Sequence, residues 1–173
     1  GEKYLKENSI PCLHLSIKDF ATENGYTGKT KNMPEVIREK YFEDIINLLK
    51  DFDIDIIILS GFMLIISKPL LGYKPIINVH PADLSIKDSF GRPKYIGDDT
   101  VTDAIKNGEK YTASTIHVVE DILDGGRIIC ISDKLEVLDP NNPKEHQEKM
   151  KYLCDGPAYK KALEMICTGG FKF

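Results

Sequence analysis

No stretch of the 173 residues approaches the roughly 20 apolar residues a bilayer-spanning helix needs, which excludes a helical membrane protein. Nor does the chain open on the basic-then-apolar pattern of a secretory signal. Cysteine is scarce and unpatterned. Cys12, Cys130, Cys154 and Cys167 form no C-x-x-C, so neither a zinc site nor a disulfide framework is indicated, and buried free thiols in a cytoplasmic protein are expected. Basic residues are scattered rather than grouped and the net charge is −4, which argues against a nucleic-acid partner. Tryptophan is absent, and that excludes nothing. There is no internal repeat and no low-complexity tract. What remains, at 42% hydrophobic and 29% charged residues, is an ordinary soluble chain of one domain, residues 1–173.

The segments that are present alternate. "IPCLHLSI" (10–17) reads as a short strand, and 19–34 as a polar surface loop. "MPEVIREKYFEDIINLLKDF" carries helical spacing through Val36, Ile37, Tyr41, Ile45, Ile46, Leu48 and Leu49, with Pro34 near its start. "IDIIILSG" is almost continuously β-branched, as a strand covered on both faces would be. "SKPLLG" is a turn of helix, "KPIINVH" a second buried strand, and 81–97 a long irregular stretch. "DDTVTDAIKNGE" predicts a short helix with Asp N-cap candidates and Gly108 at its end. Its carboxylates suit the helix dipole, and no metal site is read from them. "TASTIHVV" and "RIICISDKLEV" are strands joined by "EDILDGG", and an amphipathic helix runs from Pro143 to about Cys167. Strands alternating with helices make a doubly wound α/β fold.

One strand end is chemically unusual. In "INVHPADLS" Asn78 and His80 stand two apart, so on an extended chain both leave the same face, and Pro81 then ends the strand. Asp124 in "LDGG" lies in a loop that the α/β pattern brings to the same end of the sheet, where such folds keep their sites. An amide can donate to a developing oxyanion, an imidazole can move a proton near neutral pH, and a carboxylate can hold that imidazole or a water. On spacing alone, satisfied structural residues are the favoured reading. The same holds for "FMLII" as plain core and for His117 as a mid-strand structural histidine.

Taken in order, "GFMLII" (61–66), "NVHP" (78–81), "YIG" (95–97), "TASTIHVV" (112–119) and "DILDGGRII" (121–129) resemble the folate-dependent formyltransferases, and among these the branch that formylates glycinamide ribonucleotide. The resemblance covers about residues 1–135 and only loosely the last helix. It implies a Rossmann-like formyltransferase fold, with a mostly parallel sheet and helices on both faces. The strand, Gly-rich turn and helix that open such a fold do not appear here. The chain starts on "GEKYLKENS", which reads as the tail of a helix, and an upstream strand, turn and helix are expected. The resemblance also implies an enzyme that moves a formyl group from 10-formyl-tetrahydrofolate to a small-molecule amine, by default glycinamide ribonucleotide, with Asn78, His80 and Asp124 catalytic. It places the pterin between Phe62, Met63, Leu64, Ile65 and Ile66 and the loop that holds Ile122, Leu123, Gly125 and Gly126.

The acceptor side departs from the family pattern. Ala82-Asp83-Leu84-Ser85 replaces S-L-L-P, and "IKDSFGRP" is an insertion before Tyr95. Asp98 and Asp99 stand in for Leu-His, and Asp155 takes the place of a glutamate. Candidate acceptor contacts are Pro81, Arg92, Gly97, His117 and Asp155. The cation of Arg92 suits a carboxylate or phosphate, although a solvated loop explains it as well. Two other readings share the donor: a 10-formyl-tetrahydrofolate deformylase acting on water, and a folate-binding module without turnover. Oligomeric state leaves no signature in the sequence.

Overall fold

The computed structural model describes residues 2–173, and the chain divides into two compact units. The first is Gly1–Ile54 with Met63–Tyr73; the second is Asp55–Phe62 with Lys74–Phe173.

The first unit is helical. It contains α1 (Glu2–Glu7), α2 (Ile17–Glu23), a 3-10 turn at Thr30–Asn32, α3 (Glu35–Leu49) and α4 (Lys68–Leu71). Pro34 precedes the first turn of α3, where its missing N–H costs nothing. Phe20 of α2 meets Tyr41 of α3 edge to face, with ring centroids 5.3 Å apart. The Tyr41 hydroxyl donates to the Leu15 carbonyl, and Arg38 ties Met33 O to the Ser67 hydroxyl. Tyr41 and Phe42 are the buried residues of α3, whereas Val36 and Leu48, expected on its apolar stripe, are exposed. "IPCLHL" is not a strand: 10–16 is irregular backbone that joins no sheet. A run of apolar residues broken by Pro11 lacks the ladder partners a strand requires.

The second unit holds the sheet: β1 (Ile57–Leu59), β2 (Ile76–His80), β4 (Thr115–Val118) and β5 (Ile128–Ile131), in spatial order β1-β2-β4-β5. Its directions correct the expectation of a mostly parallel sheet. Only β1 and β2 run parallel, while β2–β4 and β4–β5 are antiparallel. A separate two-stranded ribbon pairs β3 (Tyr111–Thr112) with β6 (Leu135–Glu136), so "RIICISDKLEV" is two strands in two sheets. β1 stands at the sheet edge and leaves Ile58 exposed, unlike the strand covered on both faces that its composition suggested.

Helix α5 (Thr100–Lys106) ends at Gly108, whose φ of +83° suits glycine. The C-terminal helix is interrupted: α6 (Pro143–Met150) passes through a π-helical turn at Lys151–Asp155 into α7 (Gly156–Cys167). Ala158 and Ala162 of α7 pack on Ile77, Ile116, Val118, Ile129 and Cys130, and the Tyr159 hydroxyl donates to the Leu59 carbonyl. The two alanines let the helix approach the sheet closely. Because Ile77, Val79, Ile116 and Val118 face α7, the alternate residues Asn78, His80, Thr115 and His117 face the other way. The thiols are all free, but only Cys130 and Cys154 are buried; Cys12 and Cys167 are exposed, contrary to the expectation for four buried thiols.

Candidate active site

On the face away from α7, antiparallel pairing sets Asn78 opposite His117 and His80 opposite Thr115. Those four side chains therefore share one patch at the end of the sheet. Thr115 fixes the chain beyond His80: its hydroxyl donates to Ala82 O at 2.6 Å and accepts from Leu84 N at 3.0 Å. Through that side chain the irregular segment after the strand is held to β4.

Asp124 arrives from the loop between β4 and β5. Its φ of +51° is unusual for a residue with a side chain. The turn is closed tightly, since a Cβ on Gly126 would lie 1.9 Å from the Val118 carbonyl oxygen. Only glycine fits there. So aimed, Asp124 Oδ1 lies 3.5 Å from His80 Nδ1 and 3.8 Å from His117 Nε2, with all three side chains less than a tenth exposed. The other oxygen, Oδ2, accepts from Gly97 N at 3.1 Å. The structure thus brings His80 and Asp124 together and seats Asn78 on the same face. No hydrogen bond engages the Asn78 side-chain amide among the described residues.

Hydrogen-bond partners fix the protons on both imidazoles. His80 Nε2 is 2.8 Å from the Tyr95 carbonyl, which only accepts, so Nε2 carries hydrogen and Nδ1 faces the Asp124 carboxylate. His117 Nδ1 is 2.9 Å from the Val118 carbonyl and donates to it. Its Nε2 is buried with no hydrogen-bond partner. Burial holds the His117 pKa below the usual imidazole value, outweighing the pull of its backbone bond and of Asp124. A neutral His117 with a bare acceptor nitrogen and a carboxylate beside His80 are parts of a proton-handling site.

Of the remaining candidates, Arg92 and Asp155 fall elsewhere. Arg92 is already paired: its Nε and Nη2 reach Asp88 Oδ2 at 3.0 and 2.9 Å, and it lies over the Phe90 ring. The structure joins it to its own loop, a hairpin-like turn bridged at Lys87 and Pro93, and not to the His80 cluster. Asp155 sits in the π-helical turn and accepts from the Ser114 hydroxyl at 2.5 Å. Ser114 alternates with Thr115, so this pair is directed to the α7 side of the sheet; burial raises the Asp155 carboxyl. Pro81 directly follows β2, and Gly97 contributes its amide to Asp124.

Met63 and Ile65 are exposed, so "FMLII" is not plain core; in the other unit Ile122 and Leu123 are exposed as well. Sequence reasoning missed Thr115 and the Tyr95 carbonyl as parts of the site, and named Gly97 only as an acceptor contact, not as a donor to Asp124. "YIG" and "TASTIHVV" contain them, but a backbone group leaves no signature in residue type.

Residues 1–155 match the model of the formyl transferase family. The chain is 29% identical over 171 residues to the trifunctional purine biosynthetic protein adenosine-3 of Drosophila melanogaster, covering 98% of this chain and 11% of that one. It is 33% identical over 94 residues to phosphoribosylglycinamide formyltransferase of Escherichia coli K12, covering 53% of this chain and 41% of the relative. Among solved structures it is similar to glycinamide ribonucleotide transformylase 1 from Symbiobacterium toebii, with a TM-score of 0.70 at 20% identity over 96% of this chain and 68% of that one. This likeness in structure gives the fold, the Rossmann-like formyltransferase fold. With a family model matched over most of its length, the chain belongs to the formyl transferase family.

Proposed function

We propose that this chain is a 10-formyl-tetrahydrofolate-dependent formyltransferase whose acceptor amine is that of glycinamide ribonucleotide, a step of purine biosynthesis. The observation that carries the reading is the His80–Asp124 contact at 3.5 Å, with Asn78 on the same sheet face. Relatives named for formylation of phosphoribosylglycinamide and for purine biosynthesis support the choice of acceptor.

The chemistry follows from the groups present. The acceptor nitrogen attacks the formyl carbon, forming a new C–N bond, and the carbonyl oxygen takes up charge. The unengaged Asn78 amide donates to that oxyanion. The C–N bond to the folate then breaks, and the proton lost by the attacking amine must reach the departing folate nitrogen. His80 takes it up and passes it on at Nδ1, the ring nitrogen that carries no hydrogen and that lies beside Asp124. Exposed Ile122 and Leu123, in the loop that carries Asp124, suit a flat face of a folate. The four free thiols suit a cytoplasmic location, and no helix among the described residues is long and apolar enough to cross a membrane.

Product analysis tests the reading. Incubated with 10-formyl-tetrahydrofolate and glycinamide ribonucleotide, the chain is expected to yield the formylated amine, and nothing when the amine is omitted. Asn78→Ala should lower kcat by about 10²–10³, the usual worth of an oxyanion donor. Release of formate without an amine would identify a deformylase instead, and folate binding with neither product would leave a binding module.

A further inference from the structure

The turn Tyr95–Gly97 touches both members of the His80–Asp124 pair. The Tyr95 carbonyl accepts from His80 Nε2 at 2.8 Å, and two residues on the Gly97 amide donates to Asp124 Oδ2 at 3.1 Å. Gly97 has φ +87°, a left-handed conformation that reverses the chain so that both backbone groups point back at the pair. Such a clamp is only as good as its own anchorage, and Tyr95 is anchored at several points. Its ring is 3% exposed and packs with Ala82, Ala104 and Ile86. Its hydroxyl donates to Glu109 Oε1 at 2.7 Å, and Lys94 Nζ lies 3.6 Å from the same oxygen and 4.8 Å from the centre of the Tyr95 ring. Glu109 is fixed in turn by its amide, which donates to Ala104 O in α5 at 3.1 Å. On the other side of Tyr95, Lys94 N donates to Ile86 O at 2.9 Å.

We infer that Tyr95 is a positioning residue for His80: its phenol, held by Glu109, keeps its own carbonyl in place as the acceptor for His80 Nε2–H, so that Nδ1 is the nitrogen left facing Asp124. Rotating the proton to Nδ1 would leave Nε2 and the Tyr95 carbonyl as two acceptors 2.8 Å apart, without a donor between them. It would also place a hydrogen on Nδ1, the nitrogen that must be bare to take up the proton of the attacking amine. The tautomer is therefore set 15 residues along the chain, at a carbonyl whose place depends on the anchorage of its own side chain. The inference rests on the formyl-transfer reading for its kinetic part and on geometry alone for its structural part.

Imidazole ¹⁵N spectra of the full chain, with His80 assigned by substitution, separate the two. The parent should show Nε2 protonated. Tyr95→Phe keeps the buried ring but releases Glu109, and it should populate the Nδ1–H form of His80. Glu109→Ala should do the same, whereas Glu109→Gln, which still accepts from the phenol, should restore the parent pattern. The kinetic counterpart is a fall in kcat of about 10-fold, the scale of one lost hydrogen bond, with donor KM unchanged. An unchanged His80 pattern in both Tyr95→Phe and Glu109→Ala overturns the inference, as does a lower kcat without a tautomer change. If Tyr95→Phe does not fold, the partly exposed Glu109 carries the test through its two variants. If the parent transfers no formyl group, the functional reading fails while the spectra still judge the clamp.

Discussion

His117 shows what a single residue in this site costs. Its imidazole is buried neutral with Nε2 unpartnered, and burial depresses its pKa; burial depresses that of His146 too, where Thr112 Oγ1 meets Nε2 at 2.7 Å. In the unfolded chain both rings take a proton near pH 6.5, whereas in the folded chain they resist until lower pH. Below about pH 6.5 the unfolded state therefore binds more protons, and stability falls with acidification until the depressed folded values are reached. Asp155 works in the opposite direction, because burial raises its carboxyl and the folded state takes up that proton first. The informative quantity is thus a difference between variants. His117→Gln and His146→Gln should each flatten the fall in Tm between pH 6.5 and 5 relative to the parent. Parallel Tm–pH curves for all three proteins would show that neither histidine is linked to folding.

At the scale of elements, the loop between β4 and β5 is the part on which the site depends most. The 1.9 Å clearance at Gly126 leaves no room for a methyl group against the Val118 backbone, so Gly126→Ala must displace the turn that aims Asp124. Because a misplacement of about 1 Å can cost about 10²-fold in rate, kcat should fall by at least about that factor while far-UV circular dichroism retains the sheet. A variant with parental kcat would mean that Asp124 need not be held. Much of this layer is legible from sequence. The helical state of α3, the glycine stop of α5, the apolar β2 and the i, i+2 spacing of Asn78 and His80 all follow from side-chain pattern. Strand direction does not, because buried parallel and antiparallel strands share composition. Nor does the π-helical turn, whose extra residue alters hydrogen bonding without altering polarity. The strand expected at 10–16 failed because apolar residues only make a strand where another strand offers its ladder. The site was half legible for a similar reason: His80 and Asp124 announce themselves, but the backbone groups of Tyr95 and Gly97 that hold them do not.

For the whole molecule the open question is whether the two compact units unfold as one, as expected for a single domain. Chain connectivity favours it. The segment Asp55–Phe62, which includes β1, belongs to the second unit, yet residues of the first unit precede and follow it in sequence. Unfolding of the first unit would therefore free both flanks of an edge strand of only three residues, paired with β2 alone. Thiols report on this without further labels. Cys130 and Cys154 are buried in the second unit, with their pKa values raised by burial, while Cys12 and Cys167 are exposed. In the native chain two thiols should react rapidly and two slowly, at a rate set by opening. Phe42 is fully buried in α3 of the first unit, and Phe42→Ala should destabilise that unit by about 3–5 kcal/mol. If the units are one cooperative domain, the variant will label Cys130 and Cys154 faster by a large factor, although neither thiol lies in the unit that was altered. Parental protection of both thiols in a variant whose helical signal melts early would make the units separate domains.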